Sequence, residues 1–73
     1  MRLSDLKKGQ KGRIRSLDES VSRLRLIEMG CVPGEIVEMQ NYAPMRDPLA
    51  IVVNGMIIAI RKENAEEIEI ELI

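Results

Sequence analysis

Hydrophobic residues recur along this chain in short runs, most with the two-residue period of a half-buried strand. Leu3 and Leu6 bracket Ser4, whose hydroxyl can cap a single helical turn through Lys8. Gly9 then ends that turn in a left-handed conformation, with the two leucines anchoring it on the core. Residues 12–17 read as a strand, Ile14 inward and Arg13 and Arg15 outward. Asp18, Glu19 and Ser20 precede a stretch with helical spacing, and the pattern predicts a helix from about Ser20 to Met29, closed by Gly30. Val32-Pro33-Gly34-Glu35 fits a type II turn, with proline second and glycine where φ must be positive. Ile36 to Gln40 is a strand, and Ala43 to Pro48 is a loop stiffened by two prolines.

The strongest local signal follows. Leu49 to Val53 and Met56 to Ile60 are β-branched runs separated by Asn54-Gly55, which suits a type I′ hairpin turn. Residues 62–66 read as a connector with room for one helical turn. The tail alternates, with Ile68, Ile70 and Leu72 on one face and Glu67, Glu69 and Glu71 on the other. The glutamates discourage edge-to-edge pairing. Five short strands and one helix in so short a chain predict a mainly β fold, because curling into a small barrel removes exposed edges. The expected architecture is a small SH3-like five-stranded barrel with a helical insertion after the first strand, formed by residues 1–73 as one domain.

Composition narrows the chemistry. The chain has 73 residues, no His, no Trp, no Phe, one Tyr and one Cys. A disulfide within the chain, a Cys/His zinc site and a histidine-based catalytic dyad or triad are therefore excluded. No activated nucleophile or phosphate-cradling loop is visible, since Gly9-Gln10-Lys11-Gly12 lacks the required spacing, so an enzyme is not expected. Charge appears at once after Met1 and no apolar run approaches the roughly 20 residues of a membrane span, which predicts a cytoplasmic protein without membrane insertion. The net charge of −1 is unevenly spread. Residues 1–25 carry eight Lys/Arg against three Asp/Glu (+5), and residues 26–73 carry three against nine (−6). If the halves stay apart, the molecule presents an asymmetric, dipolar adaptor surface; if they form neighbouring strands, opposite charges face each other across the ladder.

Four segments carry a family resemblance. Leu3, Leu6, Gly9 and Gly12 recur at threes; Arg23 to Gly34 contains Met29-Gly30 and Pro33-Gly34; Ala43-Pro44 is followed by Asp47-Pro48; and Ala59-Ile60-Arg61 precedes Ala65. Taken in order, these segments resemble the ferrous iron transport protein A (FeoA) family along nearly the whole chain. The resemblance implies an SH3-like barrel. It also implies an accessory role in ferrous iron uptake, as a partner of the GTPase-linked membrane transporter FeoB. The same domain type occurs at the end of metal-dependent repressors, but this chain has no room for a helix-turn-helix. Cys31 departs from the pattern, which usually has Leu or Ile there.

The helix and the proline loop are the candidate sites. At 100° per residue Val21, Leu24 and Ile27 share an arc of about 120°, with Leu26 and Met29 on the other side. Either loops or termini cover that second face, or Leu26 and Met29, with Met45 and the pre-ordered Pro44, form a partner-docking patch. On that reading Leu26→Glu leaves the fold intact and weakens binding. Cys31 reads as a buried apolar residue, and a lone thiol with no His beside it holds no metal. Glu67, Glu69 and Glu71 read as a solvated strand face, so no metal or cofactor is expected. The other functional class is a nucleic-acid- or ribosome-associated barrel using the basic N-terminal third; the near-neutral charge and lack of stacking aromatics argue against it. With Tyr42 as the only aromatic, a groove for proline-rich peptides cannot be built. Self-association is compatible with the pattern.

Overall fold

The computed structural model describes residues Met1–Ile73 throughout. Strand β1 (Lys11–Leu17) lies between β2 (Ile36–Tyr42) and β5 (Ile68–Leu72), while β3 (Leu49–Val53) and β4 (Met56–Ile60) extend the sheet beyond β2. All pairings are antiparallel, in the order β4-β3-β2-β1-β5. Helix α1 (Arg23–Glu28) follows β1 as expected, and a short α2 (Lys62–Ala65) joins β4 to β5. The fold is mainly β, five strands with a helical insertion.

Two bulges coil the sheet. In β1 the inward residues are Gly12, Ile14 and Leu17, so the alternation slips between Ile14 and Ser16, where the register with β5 shifts. In β2 the inward Val37 and Met39 are followed by two exposed residues, and the register with β3 shifts between Met39 and Asn41. An extra residue in one strand bends it and increases its twist. Thus one sheet wraps a core of 15 apolar residues that buries no polar or charged residue.

The hairpin forms as its sequence dictates. Asn54 and Gly55 have φ of 53° and 76°, and β3 pairs with β4 from Val53↔Met56 to Leu49↔Ile60. Gly34, at φ 99°, supplies the positive position of the turn after α1, closed by the Glu35 amide donating to the Val32 carbonyl at 3.0 Å. The N-terminal turn differs from expectation. It is a 3₁₀ turn over Leu3–Asp5, and Ser4 caps nothing; instead Asp5 Oδ2 accepts from the Arg2 amide at 2.9 Å. Leu3 and Leu6 are fully buried, and Gly9 is left-handed at φ 87°.

Helix α1 is shorter than its pattern and turned the other way. Ser20 does not cap it: its hydroxyl donates to Glu67 Oε1 at 3.1 Å and accepts from the Ser22 amide at 3.2 Å. Residues 20–22 are drawn toward the start of β5, and the helix begins at Arg23. At its end Gly30, at φ 110°, donates to the Ile27 carbonyl and Cys31 donates to the Leu26 carbonyl, both at 3.0 Å. This is the Schellman arrangement, which characteristically brings the two apolar residues joined by its longer bond into contact. Here those residues are Leu26 and Cys31, and both lie in the core. Leu26 is 1% exposed, Met29 and Ile27 pack partly against the core, and Val21 and Leu24 face outward. The placement of Leu26 on a docking surface is therefore corrected: it is a core residue.

Opposite charges interleave. Arg15 meets Glu71 at 3.2 Å across the β1–β5 ladder, Arg2 meets Asp18 at 3.0 Å and Glu69 at 3.4 Å, and the Met1 amino group meets Glu69 at 2.9 Å. The expectation of a separated, asymmetric charge surface gives way to neighbouring-strand pairing. These pairs are exposed and screened by solvent, so each adds little to stability.

Two outcomes follow for the core. Leu26→Ala lowers unfolding free energy in urea by about 2–5 kcal/mol, whereas Leu24→Ala, at a site 67% exposed, stays within about 0.5 kcal/mol of the parent. Burial pushes the Cys31 thiol up to about 11 from 9.0. The unfolded chain loses this proton first as pH rises, so the contribution is intact below about pH 9 and is lost as pH approaches 11. Between pH 8 and 11 the parent should lose about 2 kcal/mol more stability than Cys31→Val, measured by urea denaturation at each pH.

Candidate docking surface

The segment between β2 and β3 is held from both sides. Pro44–Arg46 makes a 3₁₀ turn in which the Arg46 amide donates to the Ala43 carbonyl at 2.8 Å, and the Ala43 amide donates to the Pro48 carbonyl at 3.0 Å. Arg46 reaches back to the N-terminal turn, donating through Nη2 to the carbonyls of Ser4 at 2.8 Å and Leu6 at 3.0 Å. Its guanidinium also lies 4.4 Å from the centroid of the Tyr42 ring, a cation–π contact. On the other side Asp47 accepts from the Lys62 amide at 3.1 Å, satisfying a free donor of the first turn of α2, and from Arg61 Nη2 at 3.3 Å. Two of the segments singled out in the sequence, Ala43 to Pro48 and Ala59 to Ala65, thus meet at Asp47.

Between these anchors stands Met45. Its φ is 67° and that of Arg46 is 58°. A left-handed conformation costs a non-glycine residue about 1–2 kcal/mol. The side chain gains no burial in return, since Met45 is 89% exposed. Pro44 beside it is exposed too. Of the four sequence candidates, the structure presents Pro44 and Met45 at the surface, packs Met29 partly against the core and buries Leu26.

Other features were not anticipated. Val21 and Leu24 are exposed beside a half-buried Arg23, whose Nε has no hydrogen-bond partner. An open apolar cavity of about 210 Å³ lies against the base of the proline loop, lined by Tyr42, Ala43, Pro48, Leu49, Ala50 and Ala59 among others. The paired small residues Ala50 and Ala59, in register across β3 and β4, were its visible signal.

Chemistry at the remaining candidates is limited. Cys31 is buried, and Glu67, Glu69 and Glu71 are engaged by Ser20, by Arg2 with the N-terminus, and by Arg15. No three acidic or thiol side chains cluster as metal ligands. Within the basic N-terminal third, Arg2 and Arg15 are paired with carboxylates, and Arg13 donates to the Gly34 carbonyl at 3.2 Å. No helix is long and apolar enough to cross a membrane.

Comparison with known proteins identifies the lineage. The family model of the FeoA domain matches residues 1–72. An Fe(2+) transport protein A/Fe(2+) transporter FeoB fusion protein of Porphyromonas gingivalis (strain ATCC BAA-308 / W83) is 38% identical over 74 residues; the match takes in all of this chain but 9% of that protein's length. The solution structure of iron(II) transport protein A from Clostridium thermocellum has a TM-score of 0.94 at 38% identity, covering 100% of this chain and 46% of that one. The crystal structure of Stenotrophomonas maltophilia FeoA complexed with zinc, described as a prokaryotic SH3 domain protein, has a TM-score of 0.86 at 28% identity, covering 97% of this chain and 89% of that one. From an SH3-like β fold, the ordered motifs and these matches, the chain belongs to the FeoA family, which is associated with ferrous iron transport.

Proposed function

We propose that this chain is a non-catalytic accessory domain of ferrous iron uptake that docks on the cytoplasmic side of a FeoB transporter and modulates it. The observation that carries the reading is Met45, an apolar side chain held in solvent on a strained backbone by anchored neighbours. Strain of this kind persists where surrounding structure over-determines it, and it clusters at functional sites. A flexible thioether suits adaptable apolar contact, and the tethered loop has little entropy left to lose on binding. Exposed Pro44, beside Met45 in the same turn, extends the contact. The fusion of both components in the Porphyromonas gingivalis protein supports FeoB as the partner, since it joins them in one polypeptide.

The test separates docking from folding. Met45→Gly relieves the left-handed strain, so it should raise unfolding free energy by about 1 kcal/mol. The same variant should weaken co-purification with detergent-solubilised FeoB about tenfold, because truncating a contact anchor costs more than about 1 kcal/mol. Binding is measured with and without GTP. A variant that gains stability and keeps full affinity removes Met45 from the interface. The domain acts without a metal of its own, so titration calorimetry with ferrous or manganous ion should find no site tighter than about millimolar. Stoichiometric micromolar binding to the monomer contradicts that.

A further inference from the structure

The sheet has two ends, and they are treated differently. At the β5 end the N-terminal segment adds a bridge, Arg2↔Glu69, and the Ile70 amide donates to the Met1 carbonyl at 2.7 Å. That edge also carries Glu67, Glu69 and Glu71, which oppose one another if two such edges meet. At the β4 end none of these devices exists. The strand reads Met56-Ile57-Ile58-Ala59-Ile60, without charge, proline or bulge. An apolar edge without such devices is a ready template for another strand.

The unused backbone groups can be assigned. The two-residue turn makes Val53 and Met56 a hydrogen-bonded pair, and bonded and non-bonded pairs alternate along an antiparallel ladder. Met56, Ile58 and Ile60 therefore point their amides and carbonyls at β3, while Ile57 and Ala59 point theirs outward. No hydrogen bond within the chain engages those outward groups. The same strand carries three exposed apolar side chains, Met56, Ile57 and Ala59, with Ile57 at 61%.

We propose that β4 is a self-association edge, and that a second copy of this chain pairs antiparallel with it about a two-fold axis at Ile58. In this register Ile57 faces Ala59 of the second copy, and both outward-pointing residues of each strand are bonded. The large residue meets the small one. Ile57 of the second copy then stands over Ala59, at the wall of the apolar cavity formed with Ala50 and Pro48. Met56 meets Ile60 and Ile58 meets Ile58 on the inner face. The flanking pairs set Gly55 against Arg61 and Asn54 against Lys62, so no like charges are opposed. Two five-stranded sheets become one ten-stranded sheet, and Met45 is not part of the contact.

Sedimentation of the full chain across concentrations up to about 1 mM, with hydrogen exchange in parallel, tests this. The parent should form dimers, and protection of the Ile57 and Ala59 amides should rise with concentration. Ala59→Pro removes an outward amide and no bond to β3, so it should weaken association at least tenfold while keeping the thermal melt. Ile57→Lys, which sets a charge against the apolar cavity, should do the same and decides the matter if the proline variant does not fold. Glu71→Lys, on the opposite edge, should leave association unchanged. A parent that stays monomeric throughout overturns the proposal. So does a dimer that survives Ile57→Lys with the Ile57 and Ala59 amides still exchanging freely, or one abolished by Glu71→Lys. FeoB binding is read separately, so either idea can fail alone.

Discussion

Gly12 faces the core on β1, opposite Leu72 of β5. A β-carbon there would stand 2.7 Å from Ile70 Cδ1 and 3.3 Å from the Glu71 carbonyl oxygen, so a larger residue has to displace the end of the Ile70 side chain and shift the Glu71 carbonyl by a few tenths of an ångström. The other elements depend on the pairing of these two strands. β1 lies between β2 and β5, and its bonds to β5 are what join the last strand of the chain to the rest of the sheet. Its pairing with β5 brings the basic start of the chain against the acidic tail, which turns a +5/−6 split into local ion pairs. Through Asp18, whose amide donates to the Glu67 carbonyl at 2.8 Å, and through Ser20, it also sets where the chain turns into α1.

A second constraint acts at the loop after β2. The Arg46 guanidinium satisfies carbonyls of the N-terminal turn, and the Asp47 carboxylate satisfies the start of α2. These are charge-assisted bonds to backbone groups, stronger than neutral ones and directional. Together they join three segments distant in sequence and leave Met45 no freedom to relax its backbone. The exposed apolar residue is thus a consequence of anchoring on either side of it, which is the arrangement a pre-ordered contact requires.

Much of the fold was legible because it is written in short-range chemistry. Asn54-Gly55 specifies its turn through the positive φ both positions need, and Gly30 and Gly34 mark their turns for the same reason. The burial of Cys31 and of Leu3 and Leu6 follows from their apolar spacing. The orientation of α1 departs from what its periodicity implies, although the sequence carries a signal for it. Gly30 as the terminating residue makes Leu26 and Cys31 the apolar pair of a Schellman motif, so an inward Cys31 requires an inward Leu26. Helical periodicity over Val21–Met29 obscured this, because the first residues of that window are not helical at all. The strain at Met45 and Arg46 had no signal, since neither residue favours the left-handed region.

By itself, the sequence determined the strands, the turns, the absence of histidine and disulfide chemistry, and membership of a family through four ordered segments. These depend on local dihedral preferences and on side-chain period, which the chain carries wherever it folds. Only the tertiary structure decided which way α1 faces, how the charges are distributed, and which sheet edge is left open. Each of these depends on which segments become neighbours. Bulges at Arg15 and Gln40 shift the register of their strands, and a one-residue shift carries every later side chain to the opposite face.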